Sequence, residues 1–265
     1  MYAFTYERPK NVEEAVALLK KSDEGKLLAG GQTLLPAMKL RLASPGTIVD
    51  LGGVSGLSGV KAAGNAVVVG ALTKHIEVMN SPEMQKSIPA LAYLASVIGD
   101  PAVRNRGTIG GSLANNDPSA DYPAGALGLG ATIKTNKREI ASDEFFKGLF
   151  ETALGGDEII ESVSFPVPEK AGYEKFRNPA SRFALVGVFV SKGKDGVRVA
   201  VTGAGESGVF RVKEMEAALA KNWSPKAIEG INVPAKGMIA DIHGTSEYRA
   251  HLIGVMARRA VAAAK

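Results

Sequence analysis

Residues 28–41, LAGGQTLLPAMKLR, pass from an apolar run through two glycines and two small polar residues into a short basic segment. A strand, a glycine pair and a helix start leave backbone N–H groups unpaired beside a favourable helix dipole, which suits a diphosphate. Gly-Gly pairs also form ordinary turns, which is the more frequent case. The segment by itself therefore leaves both interpretations open. We call residues 29–33 the first glycine loop.

The residues around this loop predict a small β-α-β-α-β unit. Asn11 is the expected N-cap of its first helix, and Glu14 occupies the capping-box position. Apolar residues recur at helical spacing after this cap. The predicted strands are 4–7, 26–29 and 47–51, and the predicted helices are 12–21 and 34–42.

A second region follows from about residue 57. Gly64-Asn65 marks the turn of a predicted hairpin, and the sequence then predicts helices at 74–80 and 84–98, a long polar connection at 103–122, and strands at 131–135 and 158–165. PVPEK at 166–170 is a plausible boundary. Beyond it we predict a three-stranded antiparallel meander and helices at 212–221 and 246–264.

The polar connection, VRNRGTIGGSLANNDPSADY, contains a second glycine pair, Gly110-Gly111. Residues 107–111 are called the second glycine loop. Glycines allow close approach of the backbone, and the Asn, Asp and Ser side chains that follow can bind ribose or flavin groups. The alternative is a series of Asx turns and helix caps. So long a polar connection inside a compact domain is more often functional than idle.

The other motifs in the sequence give weaker indications of function. GAGESG at 203–208 fits G-x-G-x-x-G, but too few residues follow it for the strands and crossover helices of a dinucleotide fold. His75, His243 and His251 stand apart without metal-ligand spacing, so each is expected to be a surface or helix residue. No Ser-His-Asp arrangement and no G-x-S-x-G motif is evident.

The composition excludes several classes. The net charge of +5 comes without a long basic run or interleaved aromatics, which argues against nucleic-acid binding. No apolar run suits a membrane span and the start does not resemble a signal peptide, so a cytoplasmic location is expected. Cysteine is absent, so the chain cannot supply a cysteine nucleophile, a disulfide or cysteine ligands for zinc or an iron–sulfur cluster.

Five segments together resemble the FAD-binding medium subunit of molybdenum hydroxylases, of the carbon monoxide dehydrogenase type and related to the xanthine dehydrogenase flavin domain. They are AGGQTLLPAMKLR at 29–41, DLGG at 50–53, VVVGALT at 67–73, IGDPAVRNRGTIGGSLANNDPSADYPA at 98–124 and FALVGV at 183–188. The resemblance extends over essentially the whole chain, and RNRGTIGGSLANNDPSAD is its most specific part.

The resemblance implies an α+β protein with a p-cresol-methylhydroxylase-like FAD-binding fold made of two α/β subdomains, followed by an α+β domain with a three-stranded antiparallel sheet and helices. The implied ranges are an N-terminal FAD-binding subdomain at 1–55, a second FAD-binding subdomain at 56–168 and a C-terminal flavoprotein domain at 169–265.

It also implies an FAD site between the first two subdomains, with the diphosphate held by both glycine loops. Asp121 is the expected contact on the ribose or adenine side, Phe183 stands where many relatives place a flavin-facing tyrosine, and Lys175 is expected to approach the isoalloxazine. The other implied cofactor residues are Leu27, Leu28, Ala29, Gly30, Gly31, Gln32, Thr33, Leu34, Ile98, Gly107, Thr108, Gly110, Gly111, Ala114 and Asn115. No catalytic residue and no metal ligand is implied on this chain.

The implied assembly is a dimer of heterotrimers. A large subunit carries a molybdenum–pterin centre, a small subunit carries two [2Fe-2S] clusters, and FAD on this chain accepts their electrons and passes them to a quinone, NAD or oxygen. The absence of cysteine fits this division. Two alternatives stay open: a self-contained FAD-dependent oxidase of the vanillyl-alcohol-oxidase-like class, and a structural subunit that has lost FAD. The lack of a histidine or cysteine placed in the loops for covalent flavin attachment opposes the first, and the intact glycine loops oppose the second.

Overall fold

The computed structural model of the protein describes residues 1–22 and 24–265. Its N-terminal part is the predicted β-α-β-α-β unit, with a three-stranded parallel sheet in the order β1-β3-β2. The elements are β1 (Thr5–Glu7), α1 (Val12–Lys21), β2 (Gly25–Leu28), α2 (Leu34–Lys39) and β3 (Thr47–Asp50).

The start of α1 confirms half of the predicted capping box. Asn11 Oδ1 accepts the N–H of Glu14 at 2.8 Å, as an N-cap should. The Glu14 carboxylate, however, accepts from the N–H of Lys10 at 2.8 Å instead of that of Asn11. The carboxylate thus reaches one residue further back and still satisfies a free donor ahead of the helix.

The middle part contains a five-stranded antiparallel sheet in the order β4-β5-β10-β6-β7. Its first hairpin turns at Gly64-Asn65, as predicted. A two-stranded β8-β9 pair stands beside it. The strands are β4 (Val60–Ala63), β5 (Ala66–Gly70), β6 (Thr132–Thr135), β7 (Glu139–Ala141), β8 (Phe146–Gly148), β9 (Glu151–Thr152) and β10 (Ile160–Pro166).

Two predictions for the helices of this part are wrong. The predicted helix 84–98 is split at Ile88, because Pro89 has no N–H to continue the ladder and begins a new helix. The predicted polar connection 103–122 contains a helix, residues 109–115, whose N-cap is Thr108, and it ends in the start of another at Asp121. The helices are α3 (His75–Asn80), α4 (Pro82–Ser87), α5 (Pro89–Ser96), α6 (Pro101–Arg104), α7 (Ile109–Asn115), α8 (Asp121–Leu129) and α9 (Ser142–Phe145).

The C-terminal part contains the predicted meander with one addition. Its sheet, β11-β12-β13-β14, has four antiparallel strands instead of three, because a two-residue strand pairs with β13. The glycine-rich segment 203–208 is the turn between β13 and this strand, which agrees with the rejection of a dinucleotide site there. The elements are β11 (Lys170–Arg177), β12 (Ala184–Gly193), β13 (Gly196–Thr202), β14 (Phe210–Arg211), α10 (Lys213–Lys221) and α11 (Ser246–Ala263).

Helix α8 joins the middle and C-terminal parts. Every residue of α8 is buried, and it packs on α5 and on strands β12 and β13. Phe189 on β12 lies so close that a Cβ at Gly128 would come within 2.7 Å of its ring. One apolar core thus contains residues of both parts, so the predicted boundary at residues 168/169 separates the sheets but not the packing. The domain boundaries stay a prediction.

No helix in residues 1–22 and 24–265 has the length and apolar character needed to cross a bilayer.

Replacing Phe189 tests the shared core. Because its ring is fully buried against α8, we expect Phe189→Ala to lower the free energy of unfolding by about 3–5 kcal/mol. Urea denaturation followed by circular dichroism measures this. Ile242→Ala, at a side chain that is 96% exposed, should change it by less than about 0.5 kcal/mol. A loss at position 189 no larger than this control would contradict a common core.

Candidate functional site

A cavity of about 920 Å³ opens between the three parts of the chain. This volume lies at the upper end of the roughly 300–1,000 Å³ that small-molecule sites occupy. With the exception of Lys175, all the cofactor residues implied by the resemblance line it. They are Leu27, Leu28, Ala29, Gly30, Gly31, Gln32, Thr33, Leu34, Ile98, Gly107, Thr108, Gly110, Gly111, Ala114, Asn115, Asp121 and Phe183.

The first glycine loop offers free hydrogen-bond donors to this cavity. Within the described part of the chain, the backbone N–H groups of Gly30, Gly31, Gln32 and Thr33 donate to no protein acceptor. Gly31 has φ +73°, a conformation that side chains other than glycine rarely adopt. Consecutive N–H groups in such a turn form a concavity that binds anions.

The two glycine loops touch each other at Gly30. A Cβ at this position would lie 2.2 Å from the carbonyl oxygen of Arg106 and 2.7 Å from the Cα of Gly107. Real Cβ atoms are not found at such distances from backbone atoms, so only glycine permits this approach. The contact brings the N-terminal part onto the middle part and closes one side of the cavity.

The second glycine loop uses its N–H groups differently. Gly110 donates to the carbonyl of Ala71 at 2.8 Å, and Ile109 donates to that of Thr73 at 3.1 Å. The N–H of Gly111 is capped by Thr108 Oγ1 at 3.2 Å. These donors are therefore engaged in the fold, and the glycines of this loop serve close packing of the backbone.

Asp121 lies in the cavity wall with its carboxylate already engaged. The side chain of Lys175 is 2% exposed and its Nζ lies 2.9 Å from Asp121 Oδ1; the Tyr173 hydroxyl donates to the same oxygen. Burial raises the pKa of the Asp121 carboxyl, and the Lys175 ammonium opposes that rise. Lys175 thus stands behind the wall, and its predicted approach to the isoalloxazine stays a prediction, as does a ribose contact of Asp121.

Phe183 stands at the mouth of the cavity. Its side chain is 49% exposed, and the segment from Asn178 to Phe183 is closed by a hydrogen bond from the N–H of Asn178 to the carbonyl of Phe183 at 2.8 Å. The phenyl ring can cover a planar ligand but has no hydroxyl to bond it.

Arg104 binds the backbone of two residues in the cavity wall. Its Nη1 donates to the carbonyls of Ile98 at 3.0 Å and of Gly99 at 3.2 Å, and both residues line the cavity. One nitrogen of this guanidinium therefore supports the backbone of the cavity wall, while Nε is enclosed without a partner among the described residues.

His75 is a lining residue that sequence reasoning missed. It is the first residue of α3, which agrees with the expectation of a surface or helix residue, and its side chain is buried against Gly107. Burial, with a smaller contribution from the Arg104 charge, lowers the pKa of His75 to about 4. The available signal was its i, i+3 spacing from buried Val78, which places both on one helix face. His243 and His251 are exposed, as expected.

Comparisons with known proteins identify the family of this chain. Residues 2–168 match the family described as the FAD binding domain in molybdopterin dehydrogenase. The chain is 36% identical to the nicotine 6-hydroxylase medium subunit of Paenarthrobacter nicotinovorans, covering 98% of this chain and 96% of the relative. It is 34% identical to the carbon monoxide dehydrogenase medium chain of Hydrogenophaga pseudoflava, with the same coverage of 98% and 96%.

Solved structures show the same architecture. Carbon monoxide dehydrogenase from Hydrogenophaga pseudoflava superposes with a TM-score of 0.89 at 35% identity, over 99% of this chain and 97% of that chain. Quinoline 2-oxidoreductase from Pseudomonas putida 86 superposes with a TM-score of 0.88 at 28% identity, over 98% and 96%.

Removing the buried cation beside Asp121 tests this part of the site. Lys175→Met leaves a carboxylate buried without its partner, so we expect the free energy of unfolding to fall by about 3–5 kcal/mol. The double variant Asp121→Asn/Lys175→Met should lose less, because no uncompensated charge remains. Urea denaturation measures both.

The matched control for this prediction is Lys192→Met. Lys192 Nζ pairs with Glu169 at 3.2 Å, but both side chains are about half exposed, so the loss should be about 0–1 kcal/mol. Equal losses in Lys175→Met and Lys192→Met would show that the buried pair has no special weight.

Proposed function

This chain belongs to the family of FAD-binding domains of molybdopterin dehydrogenases, and from that membership we propose how its cavity is used. The chain is the FAD-binding electron-transfer subunit of a heterotrimeric molybdenum hydroxylase and is therefore an oxidoreductase subunit. It has the p-cresol-methylhydroxylase-like fold. The single observation that carries the use of the cavity is the first glycine loop, with its free N–H groups facing a space large enough for a dinucleotide.

The cavity residues fit FAD. The N–H groups of Gly30 to Thr33 are donors for the diphosphate, and at Gly30 the backbone approach leaves no room for a Cβ. The N–H groups of Gly107, Ile109, Gly110 and Gly111 are engaged within the fold, so this loop contributes mainly shape, while the first loop contributes consecutive free donors. Leu27, Leu28 and Ile98 supply apolar wall for the cofactor's rings.

The ring end of the cofactor is proposed to lie under Phe183. The phenyl ring can pack on the isoalloxazine and restrict water at the mouth of the cavity. Lys175 does not line the cavity, but its ion pair with Asp121 fixes the position of a carboxylate that does. These residues bind and orient the cofactor, and none of them is proposed to act as an acid or base on a substrate.

FAD, when bound, is a two-electron carrier that can be filled one electron at a time. Molybdenum–pterin and two [2Fe-2S] clusters reside on partner subunits, and the absence of cysteine from this chain agrees with that division. We propose that electrons from the partner's clusters arrive at this cavity and leave to a quinone, NAD or oxygen.

The assembly contains large and small partner subunits. A dimer of heterotrimers is the proposed arrangement, and size-exclusion chromatography with light scattering tests it. A cytoplasmic location is likewise proposed, following the sequence expectation, and cell fractionation tests it.

Purification of the tagged full chain from its own cells tests the function. We expect copurification of a molybdenum-containing large chain and a [2Fe-2S] small chain, and bleaching of the flavin absorption by the substrate of that complex. A chain that purifies alone with FAD and is reduced directly by small alcohols or aldehydes would instead support the self-contained oxidase. A chain that takes up no FAD when FAD is supplied would support a structural subunit.

Gly30→Ala tests the cofactor site itself. The added methyl group would lie 2.2 Å from Arg106 O, so the two loops must separate and the donors of the first loop must shift. We expect FAD affinity to fall at least about tenfold, the weight of one or two displaced hydrogen bonds to a charged group. Titration of the deflavinated chain with FAD measures it.

Gly46→Ala is the matched control, since an added Cβ meets nothing within 4 Å there. It should leave FAD affinity unchanged. Wild-type affinity in Gly30→Ala would contradict the placement of the diphosphate at the first glycine loop.

A further inference from the structure

The imidazole of His75 forms part of the cavity wall but makes no hydrogen bond to residues 1–22 or 24–265. His75 is only 5% exposed, and it lines the cavity. Among the residues that the structure describes, Nδ1 is fully enclosed and without a partner. Buried polar side chains are normally hydrogen-bonded, so a ring without a protein partner in a binding cavity requires an explanation.

The structural task at this position belongs to the backbone of His75. Its N–H donates to the carbonyl of Gly107 at 3.0 Å, and this bond joins the start of α3 to the second glycine loop. A leucine would make the same backbone bond and would bury its side chain without leaving a polar atom unsatisfied. Packing alone therefore does not account for an imidazole.

The ring is oriented with Nε2 towards the second glycine loop. A Cβ at Gly107 would lie 2.5 Å from His75 Nε2, so this nitrogen rests against the Cα of a residue that itself lines the cavity. On the other side, the ring of Tyr122 lies 5.3 Å away between centroids, with its hydroxyl enclosed and unpartnered among the described residues. The imidazole thus lies between the ring of enclosed Tyr122 and the second glycine loop.

The surroundings keep this ring neutral. Burial disfavours the imidazolium, and the Arg104 guanidinium beside it adds a like charge, so the pKa of His75 falls to about 4. A neutral imidazole has one N–H and one acceptor nitrogen. A buried donor without a partner is rarer in proteins than a buried acceptor without one, which favours the proton on Nε2 and the bare acceptor on enclosed Nδ1.

We propose that His75 is a further cofactor-binding residue, whose Nε2–H donates a hydrogen bond to an oxygen of the FAD held beside Gly107. This inference rests on the proposed function, because it needs FAD in the cavity. It places a side-chain donor beside the second glycine loop, where the N–H groups of Gly107, Ile109, Gly110 and Gly111 are engaged within the fold. It also explains Gly107, where any Cβ would collide with the donating nitrogen.

Three substitutions of His75 distinguish a hydrogen-bond donor from a ring that only fills space. Gln places an amide nitrogen near the position of Nε2, Asn places one near Nδ1, and Leu fills the volume without a donor. We expect His75→Gln to keep FAD affinity within about threefold of wild type, and His75→Leu and His75→Asn to weaken it at least about tenfold. His251→Gln, at an exposed histidine of α11, is the control and should change nothing.

Two further measurements keep the test decisive. Thermal melting of each deflavinated full chain reports whether a variant folds. The side-chain ¹⁵N spectrum of the wild-type chain reports which nitrogen of His75 carries the proton: we expect Nε2, with a resonance that shifts when FAD is added. This readout does not depend on any variant or on enzyme activity.

Wild-type FAD affinity in His75→Leu, or a proton on Nδ1 in the FAD-bound chain, would overturn the assignment of His75 and leave the FAD site itself standing. A wild-type chain that takes up no FAD contradicts the proposed function, and this inference with it. The two failures are therefore distinguishable.

Discussion

The backbone of Gly30 touches the backbone of Arg106 and Gly107, and the rest of the site depends on this contact. It is possible only without a Cβ, which would lie 2.2 Å from a carbonyl oxygen. The N-terminal unit also packs on the middle part through an apolar cluster that contains Ala15, Val49 and Ile159, and the approach at Gly30 places the free N–H groups of the first glycine loop beside the second loop. A cavity of about 920 Å³ between separate parts of the chain follows from it.

The C-terminal part is held to this cavity by burial and by charge. Helix α8 is buried on all sides between α5 and the C-terminal sheet, and at its first residue Asp121 is bound by Lys175 and Tyr173 of β11. Removing one partner of a buried ion pair leaves an uncompensated charge, and this destabilises the fold more than replacing both partners with uncharged residues does. The position of Phe183 over the cavity is thus coupled to the wall that Asp121 forms.

Together these features describe a protein that binds and orients a cofactor. Some of its polar groups are engaged with each other, as in Asp121 with Lys175, and others, such as the N–H groups of the first glycine loop and the imidazole of His75, have no partner among the described residues and belong to residues that line the cavity. The medium subunit of a molybdenum hydroxylase needs this arrangement, because the chemistry on the substrate occurs at a metal centre on another chain.

Local features could be predicted from the sequence because they depend on neighbours along the chain. The capping of α1 by Asn11, the turn at Gly64-Asn65 and the strand-glycine-helix order at residues 26–34 are of this kind. The cofactor residues that the resemblance implies all line the cavity except Lys175, but the resemblance did not name His75. Only the tertiary structure decided that His75 is buried against Gly107, that Gly110 donates to Ala71, and that β14 joins the last sheet. These features join residues that are distant in sequence. The type of a residue does not indicate which distant part of the backbone will pack against it.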